Sequence, residues 1–429
     1  MSQAINKVVV LGANGAMGAG SGEVFAAAGI PTTFLARTIE KARQGEARAV
    51  GMAKAEALAK FIEVGSYSEH LEAEVAQADL IFEAVSEDLE LKREYFERID
   101  AVRKPDSIVA TVSSGLSIAA MTKGLSESFA KHFLGIHFFN PPNVIVGCEL
   151  IPHAGTDPAV TAFVDELLAT RLGRVVVRTS DTPAFCGNRV GFKVLNEVAQ
   201  LAEEHGVEFM DTLIGCHTGR AMPPLLTVDF VGWDVHKAIV DNLAEKTKDE
   251  AHAAFVLPAY MQKLITAGHL GRKTPDKGGF FRKDEETRLV LDPATGQYRP
   301  LAQLQPPEFA LRMKALIRNG RYAAAMDVFA EAEGAEADLM RRVILGYIGY
   351  GLNRVGEVVK EARDVDRIMG FGFNWAPPSV LVDSIGAART VKLLERAKIA
   401  VPPVVKQAAD AKSRLFSERA VDSGRFFYA

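Results

Sequence analysis

Between Lys7 and about Val177 the chain alternates short, almost wholly apolar runs with longer amphipathic stretches. The runs Val8–Leu11, Thr32–Leu35, Leu80–Ala84, Ser107–Val112, Leu134–His137 and Arg174–Val177 have the length of buried strands. Thr38–Lys60 and Leu89–Val102 mix Ala, Glu, Lys and Leu at helical spacing. This alternation predicts a parallel sheet with helices packed on it, a doubly wound α/β domain over residues 1–181. After Thr182-Pro183 the period changes. Val190–Glu204, Trp233–Lys248 and Ala251–Ala267 carry apolar residues at helical spacing and the β-branched runs stop, which predicts an all-α domain. The charged, turn-rich stretch from Arg282 to about Gln305 reads as a linker or excursion before helices resume at Glu308.

The helical half repeats itself. Leu195-Asn196, Gly215, Pro223-Pro224, Val228-Asp229 and Gly232 recur in the same order as Leu352-Asn353, Gly370, Pro377-Pro378, Val382-Asp383 and Gly386, 154 to 157 residues further on. Asp276–Phe281 has an apparent echo in Asp422–Phe427. Two copies of one helical unit explain this order most economically. The expected layout is residues 1–181, a first helical unit over 182–283, a linker with connecting helices over 284–340, and a second helical unit over 341–429.

Composition narrows the function classes. At 429 residues the chain is too long for one hydrophobic core. Its formal charge of -4 and pI near 6.2 supply no basic field for a nucleic-acid backbone. The first residues lack the basic and apolar regions of a signal peptide, and no apolar stretch approaches the roughly 20 residues of a membrane helix. Cys148, Cys186 and Cys216 have no metal-ligand spacing, which fits reduced thiols in a cytoplasmic protein without a metal site.

Two places carry chemistry. Val8–Leu11 runs into Gly12-Ala13-Asn14-Gly15-Ala16-Met17-Gly18, and small residues that can start a helix follow. A glycine turn between a strand and a helix lets backbone amides and the positive helix end approach a pyrophosphate, the signature of a Rossmann-type dinucleotide domain. The spacing is GxxGxxG, one residue longer in the turn than the usual GxGxxG. A Rossmann NAD site places an acid at the end of the second strand for the ribose 2′-hydroxyl. Here the strand ends in Ala36-Arg37-Thr38. Arg37 is suited to the 2′-phosphate of NADP, or it is a solvated residue at a helix start; the sequence leaves both readings open.

The second place is Leu134-Gly-Ile-His137-Phe-Phe-Asn140-Pro-Pro-Asn, followed by Cys148-Glu149. A strand reversal between His137 and Glu149 would bring an imidazole and a carboxylate together, a pair suited to moving one proton while a cofactor moves a hydride. Taken alone, a core histidine bonded to backbone and a surface glutamate is the plainer reading.

His137-Phe138-Phe139-Asn140-Pro141, Glu149, Asp181-Thr182-Pro183-Ala184-Phe185-Cys186-Gly187-Asn188-Arg189 and Gly271-Arg272-Lys273-Thr274…Gly279-Phe280-Phe281 together resemble the L-3-hydroxyacyl-CoA dehydrogenase family. The repeated helical unit resembles the duplicated C-terminal part of the larger β-oxidation proteins. The resemblance implies His137 as catalytic base and Glu149 as its orienting partner, with Ser114 and Asn188 contacting the substrate oxygen. It implies that Glu87, Lys92, Asn140 and Lys273 contact the nicotinamide half of the cofactor. It implies an acyl-CoA substrate, NAD or NADP as cofactor, and a homodimer unless the in-chain duplicate replaces the second subunit. A separate enoyl-CoA hydratase or thiolase is the partner class; no crotonase-like segment appears in the chain, so hydratase activity is not expected within it. The chain departs from the family at Val112, where asparagine is usual, at Ala36, where an acid is usual, and in its longer glycine turn. The competing readings are a dehydrogenase of a free hydroxy acid on the same fold, and a non-enzymatic cofactor sensor.

Overall fold

The computed structural model describes residues 4–418 and 421–428. The chain divides into two compact units, Met1–Phe185 and Cys186–Ala429. In the first, β1 (Val8–Leu11), β2 (Thr32–Ala36), β3 (Ile62–Ser66), β4 (Leu80–Glu83), β5 (Ile108–Thr111), β6 (Phe133–Phe138), β7 (Gly147–Pro152) and β8 (Val175–Arg178) form one sheet. Its order is β3-β2-β1-β4-β5-β6-β7-β8. The first six strands are parallel, β7 runs antiparallel to β6, and β8 is parallel to β7. Between β1 and β4 the winding reverses, which opens a crevice at the carboxyl ends of those strands.

The strands alternate between two cores, as period-2 geometry requires. Val8, Val10, Phe34, Phe82, Ile136 and Phe138 pack into one; Val9, Leu11, Leu35, Ile81, Phe133 and Ile151 pack into the other. The connecting helices are α1 (Ala16–Ala27), α2 (Ile39–Ala53), α3 (Tyr67–Val75), α4 (Leu89–Val102), α5 (Ile118–Met121), α6 (Glu127–Lys131) and α7 (Pro158–Glu166). Thr38 caps α2 by accepting from Lys41 N, and Asp88 caps α4 by accepting from Leu91 N. The helix expected to reach Lys60 stops at Ala53, where Lys54 turns left-handed at φ 51° and a 3₁₀ turn follows. Two strands lie outside the expected apolar runs: β3, whose Glu63 is exposed, and β7, whose run is broken by a glutamate.

The second unit holds α8 (Gly187–His205), α9 (Val207–Leu213), α10 (Pro224–Val231), α11 (Trp233–Lys246) and α12 (Ala259–Thr266). After a small sheet come α13 (Glu308–Arg318), α14 (Tyr322–Glu331), α15 (Ala335–Leu352), α16 (Ala362–Phe371), α17 (Pro378–Ile385), α18 (Ala387–Arg396) and α19 (Pro403–Ala411). That sheet is a correction to the wholly helical expectation. The stretch read as a linker forms β9 (Phe281–Asp284), β10 (Thr287–Asp292) and β11 (Gln297–Pro300), antiparallel in the order β11-β10-β9. Val290 and Leu291 are its buried core residues, too few for a hydrophobic pattern to announce it.

Equivalent side chains make equivalent bonds in the two helical copies. Asn196 on α8 donates to the carbonyls of Ala254 and Val256; Asn353, just past α15, donates to Ala400 O. Asp211 accepts from Leu225 and Leu226 N at the start of α10, and Asp366 from Ser379 N at the start of α17. Asp229 accepts from Phe280 and Phe281 N, and Asp383 from Leu415 and Phe416 N. The last pair corrects the sequence alignment. Leu415-Phe416, and not Phe426-Phe427, is the counterpart of Phe280-Phe281; Phe426 packs instead against Gly370 and Phe371.

Candidate active site

His137 on β6 and Glu149 on β7 are direct partners in the antiparallel register. Opposed residues of an antiparallel pair project to the same face, so register alone brings the two side chains together. His137 Nδ1 lies 2.7 Å from Glu149 Oε2, with His137 4% exposed and Glu149 fully buried. A carboxylate on Nδ1 fixes the tautomer and leaves Nε2 as the nitrogen that can exchange a proton. Phe139 and Phe185 pack edge-on or tilted against the imidazole at 5.0 and 5.7 Å, drying its surroundings. Phe185 and its neighbour Ala184 both adopt left-handed backbone, at φ 54° and 58°, a conformation that side-chain-bearing residues take at a cost.

One strand inward, the polypeptide past β5 carries Ser113 and Ser114. Because β5 and β6 are parallel neighbours, these serines and His137 lie at the same edge of the sheet. Glu87 fastens this turn: its Oε1 accepts from Ser113 Oγ at 2.6 Å and from Ser114 N at 2.9 Å. Glu87 in turn sits 3.4 Å from Lys92 Nζ. Lys92 is fully buried and bonded to both oxygens of Glu83 at 2.8 and 2.9 Å, while Glu83 also accepts from Thr111 Oγ1 and Val85 N. The result is a polar chain from β4 through α4 to the turn after β5.

The glycine turn stands at the β1–β4 crevice. Gly12 has φ +74°, and a Cβ there would meet the Ala84 carbonyl oxygen at 2.1 Å; one on Gly18 would meet the Gly12 carbonyl oxygen at 2.2 Å. Gly15 caps α1 with no side-chain hydrogen bond, so the first-turn amides of that helix remain available to an anion. Asn14, Gly15, Ala16 and Met17 are all at least partly exposed beside them. Tyr67, at the end of β3, accepts from Gly12 N at 2.7 Å. A backbone cradle this close, fronted by an uncapped helix end, fits a dinucleotide pyrophosphate.

Known proteins resemble this chain over most of its length. Residues 7–182 match the family description "3-hydroxyacyl-CoA dehydrogenase, NAD binding domain", and residues 185–280 match its C-terminal domain. A 3-hydroxybutyryl-CoA dehydrogenase of Bradyrhizobium diazoefficiens is 33% identical over 66% of this chain and 96% of its own length. The chain belongs to the 3-hydroxyacyl-CoA dehydrogenase family. A probable 3-hydroxyacyl-CoA dehydrogenase of Bacillus subtilis is 29% identical over 86% of this chain, which spans 46% of that longer relative. In fold the likeness takes in both helical copies: a crystal structure of 3-hydroxybutyryl-CoA dehydrogenase from Escherichia coli matches 95% of this chain and 99% of its own, with TM-score 0.72 at 23% identity.

For a member of this family the remaining expected site residues fall as follows. Asn140 is exposed just past β6, and Arg37 is exposed just past β2. Asn188 is buried at the second residue of α8, and Lys273 pairs with Asp234 at 2.8 Å; both belong to the helical unit. Lys92 stands apart from the others in being fully buried on Glu83. Glu83, Thr111, Ser113 and Tyr67 are the polar residues of this edge that sequence reasoning missed. A charged residue closing the apolar run Leu80-Ile81-Phe82 was the available signal for Glu83, since a carboxylate on a central strand needs a partner. None of the described helices is long and apolar enough to cross a membrane.

Proposed function

We propose that the chain interconverts a 3-hydroxyacyl-CoA and the corresponding 3-oxoacyl-CoA with a nicotinamide dinucleotide, in fatty-acid β-oxidation or a related acyl-CoA pathway. The observation that carries the reading is the cross-strand His137–Glu149 pair at the sheet edge that also holds the Ser114 turn. Gly12, Gly15, Gly18 and the first turn of α1 would hold the pyrophosphate, and Glu87 and Asn140 would face the nicotinamide half. When bound, the nicotinamide supplies or accepts the hydride at C3.

The protein's own part is the proton. In oxidation His137 Nε2 takes the proton of the 3-hydroxyl, and in reduction it returns it. Glu149, buried and bonded to Nδ1, holds the ring in the tautomer that receives at Nε2 and stabilises the imidazolium that results. Ser114, whose turn is fixed by Glu87, offers a hydroxyl to the substrate oxygen, and Asn188 an amide. Phe139 and Phe185 keep water from the imidazole, which strengthens its interaction with Glu149.

The test follows the absorbance of the reduced nicotinamide while acetoacetyl-CoA is reduced, with NADH and NADPH in parallel and free acetoacetate as control. Turnover of the thioester at least tenfold above the free acid is expected; turnover of the free acid alone would replace this reading with the hydroxy-acid one. Both cofactors share the pyrophosphate half, so the choice between them lies at the adenosine ribose.

A further inference from the structure

In a Rossmann domain the adenosine ribose lies past the end of the second strand, beside the glycine turn. Here the three pieces of chain that would surround it are tied together. β2 and β3 are parallel, with Ala36 opposite Ser66, so Arg37 and Tyr67 leave the sheet side by side. The Tyr67 phenol reaches back to Gly12 N at 2.7 Å, and its ring packs on Tyr95 at 4.9 Å. Arg37 lies close enough for its charge to act on both tyrosines.

The charge at this end is placed for an anion. Ala36-Arg37-Thr38 and Ser66-Tyr67-Ser68 contain no carboxylate to receive a ribose 2′-hydroxyl. Among the described residues Arg37 makes no hydrogen bond or ion pair. It also stands just before α2, at the positive end of a helix, where a cation is opposed by the macrodipole. Next to it α3 begins at Tyr67 with no side-chain cap, so its first amides are unclaimed too.

Three polar side chains complete the surround. Ser66 Oγ lies 3.3 Å from Ser68 Oγ and 3.5 Å from His70 Nδ1. Ser66 N also approaches His70 Nδ1 at 3.3 Å, an arrangement in which Nδ1 accepts and Nε2 carries the proton as a donor. The nearby acids do not supply the missing 2′-hydroxyl acceptor on the strand ends. Glu40 is drawn to the α2 terminus by its own amide, Thr38 and Arg43, and Glu69 is largely exposed beside His70.

From this arrangement we infer that Arg37, Ser66, Ser68 and His70 form a 2′-phosphate cradle and that the chain prefers NADP(H) to NAD(H). Arg37 supplies the planar fork that matches a phosphate, the serines supply hydroxyl donors, and the uncapped end of α3 supplies amides. The inference rests on the proposed dinucleotide site, and the experiment separates the two.

Binding is measured by titration calorimetry on the full-length protein, without turnover, using NADPH, NADH, adenosine 2′,5′-bisphosphate and AMP. NADPH and the bisphosphate are expected to bind at least tenfold tighter than NADH and AMP. Arg37→Ala should shrink the NADPH-to-NADH affinity ratio tenfold or more, and Ser68→Ala, at an exposed position, should shrink it two- to fivefold. NADH binding equal to or tighter than NADPH would overturn the cradle while leaving the dehydrogenase reading intact. Failure of both dinucleotides to bind would overturn the dinucleotide site itself, and the cradle with it. An unchanged ratio in Arg37→Ala would remove Arg37 from the assignment even if NADPH is preferred.

Discussion

At the scale of single residues, the proposed reaction has His137 and Glu149 divide one task. Replacing His137 by Gln keeps a side chain of similar size while removing the group that exchanges the proton. It should lower kcat by about 10²–10⁴ with cofactor affinity unchanged, checked by steady-state kinetics beside a binding titration. Near-normal turnover would remove His137 from the chemistry. Both residues and their pairing through a strand reversal were legible in the sequence; the register that sets position 137 directly against 149 was not, because it depends on how β6 and β7 lie in the sheet. For Lys92 the family resemblance implied a cofactor contact, and what the sequence did not show is its local anchoring: its ammonium is buried on Glu83 and lies 3.4 Å from Glu87. Removing one partner of a buried ion pair strands the other charge, so Glu83→Gln should cost about 3–5 kcal/mol in urea unfolding. Adding Lys92→Met should recover most of that loss. A single substitution costing under about 1 kcal/mol would mean the pair is not held as described.

Among the elements, those with an unbroken apolar run or an end signal were readable. The residue span Leu89–Val102 was anticipated end to end because helical spacing persists through it, and in the structure Asp88 caps it. β7 was hidden because a glutamate sits mid-strand, which a hydrophobic pattern counts against a buried strand even though His137 satisfies it. The helical repeat offers a sharper test, since each copy buries an aspartate against the start of a later helix. Burial pushes Asp211 and Asp366 up to about 7 from an ordinary 3.8, against the backbone amides that favour the ionised form. A carboxyl raised on folding is held preferentially neutral. Its stabilising contribution is complete below about pH 4 and is lost as pH rises through about 7. The urea midpoint of the wild-type protein should therefore carry a falling component between pH 5 and 8. Asp211→Asn with Asp366→Asn should be less stable throughout, because Asp211 accepts one N–H on each of its oxygens and an asparagine there turns its own NH2 toward one of those donors, yet depend less on pH in that window. An unchanged slope would show that these carboxyls stay ionised in the folded protein.

Across the helical unit as a whole, the two copies face one another through matching positions. Arg220 and Trp375, 155 residues apart and thus at equivalent places in the repeat, form an antiparallel bridge. Ala221 N donates to Asn374 O, and Ala376 N to Gly219 O. Contact between like positions is the geometry of a two-fold interface between identical subunits, here enclosed in one chain. At its centre the Arg220 guanidinium lies 4.0 Å from the Trp375 ring and 5.5 Å from Tyr347, with Nε and Nη1 lacking hydrogen-bond partners. Burial pushes this guanidinium down to about 10, so the aromatic faces hold a charge stripped of water and without a carboxylate. The second copy has Leu345 where the first has Asn188. The motif spacing disclosed the duplication, but only tertiary structure sets like against like. Trp375→Ala should destabilise the helical unit by about 3–5 kcal/mol or more, since it opens a cavity and strands Arg220. Because the bridge joins the copies, amide hydrogen exchange should quicken in α10 of the first copy together with α17 of the second. Faster exchange confined to residues 360–411 would show that the copies unfold independently and that the bridge does not couple them.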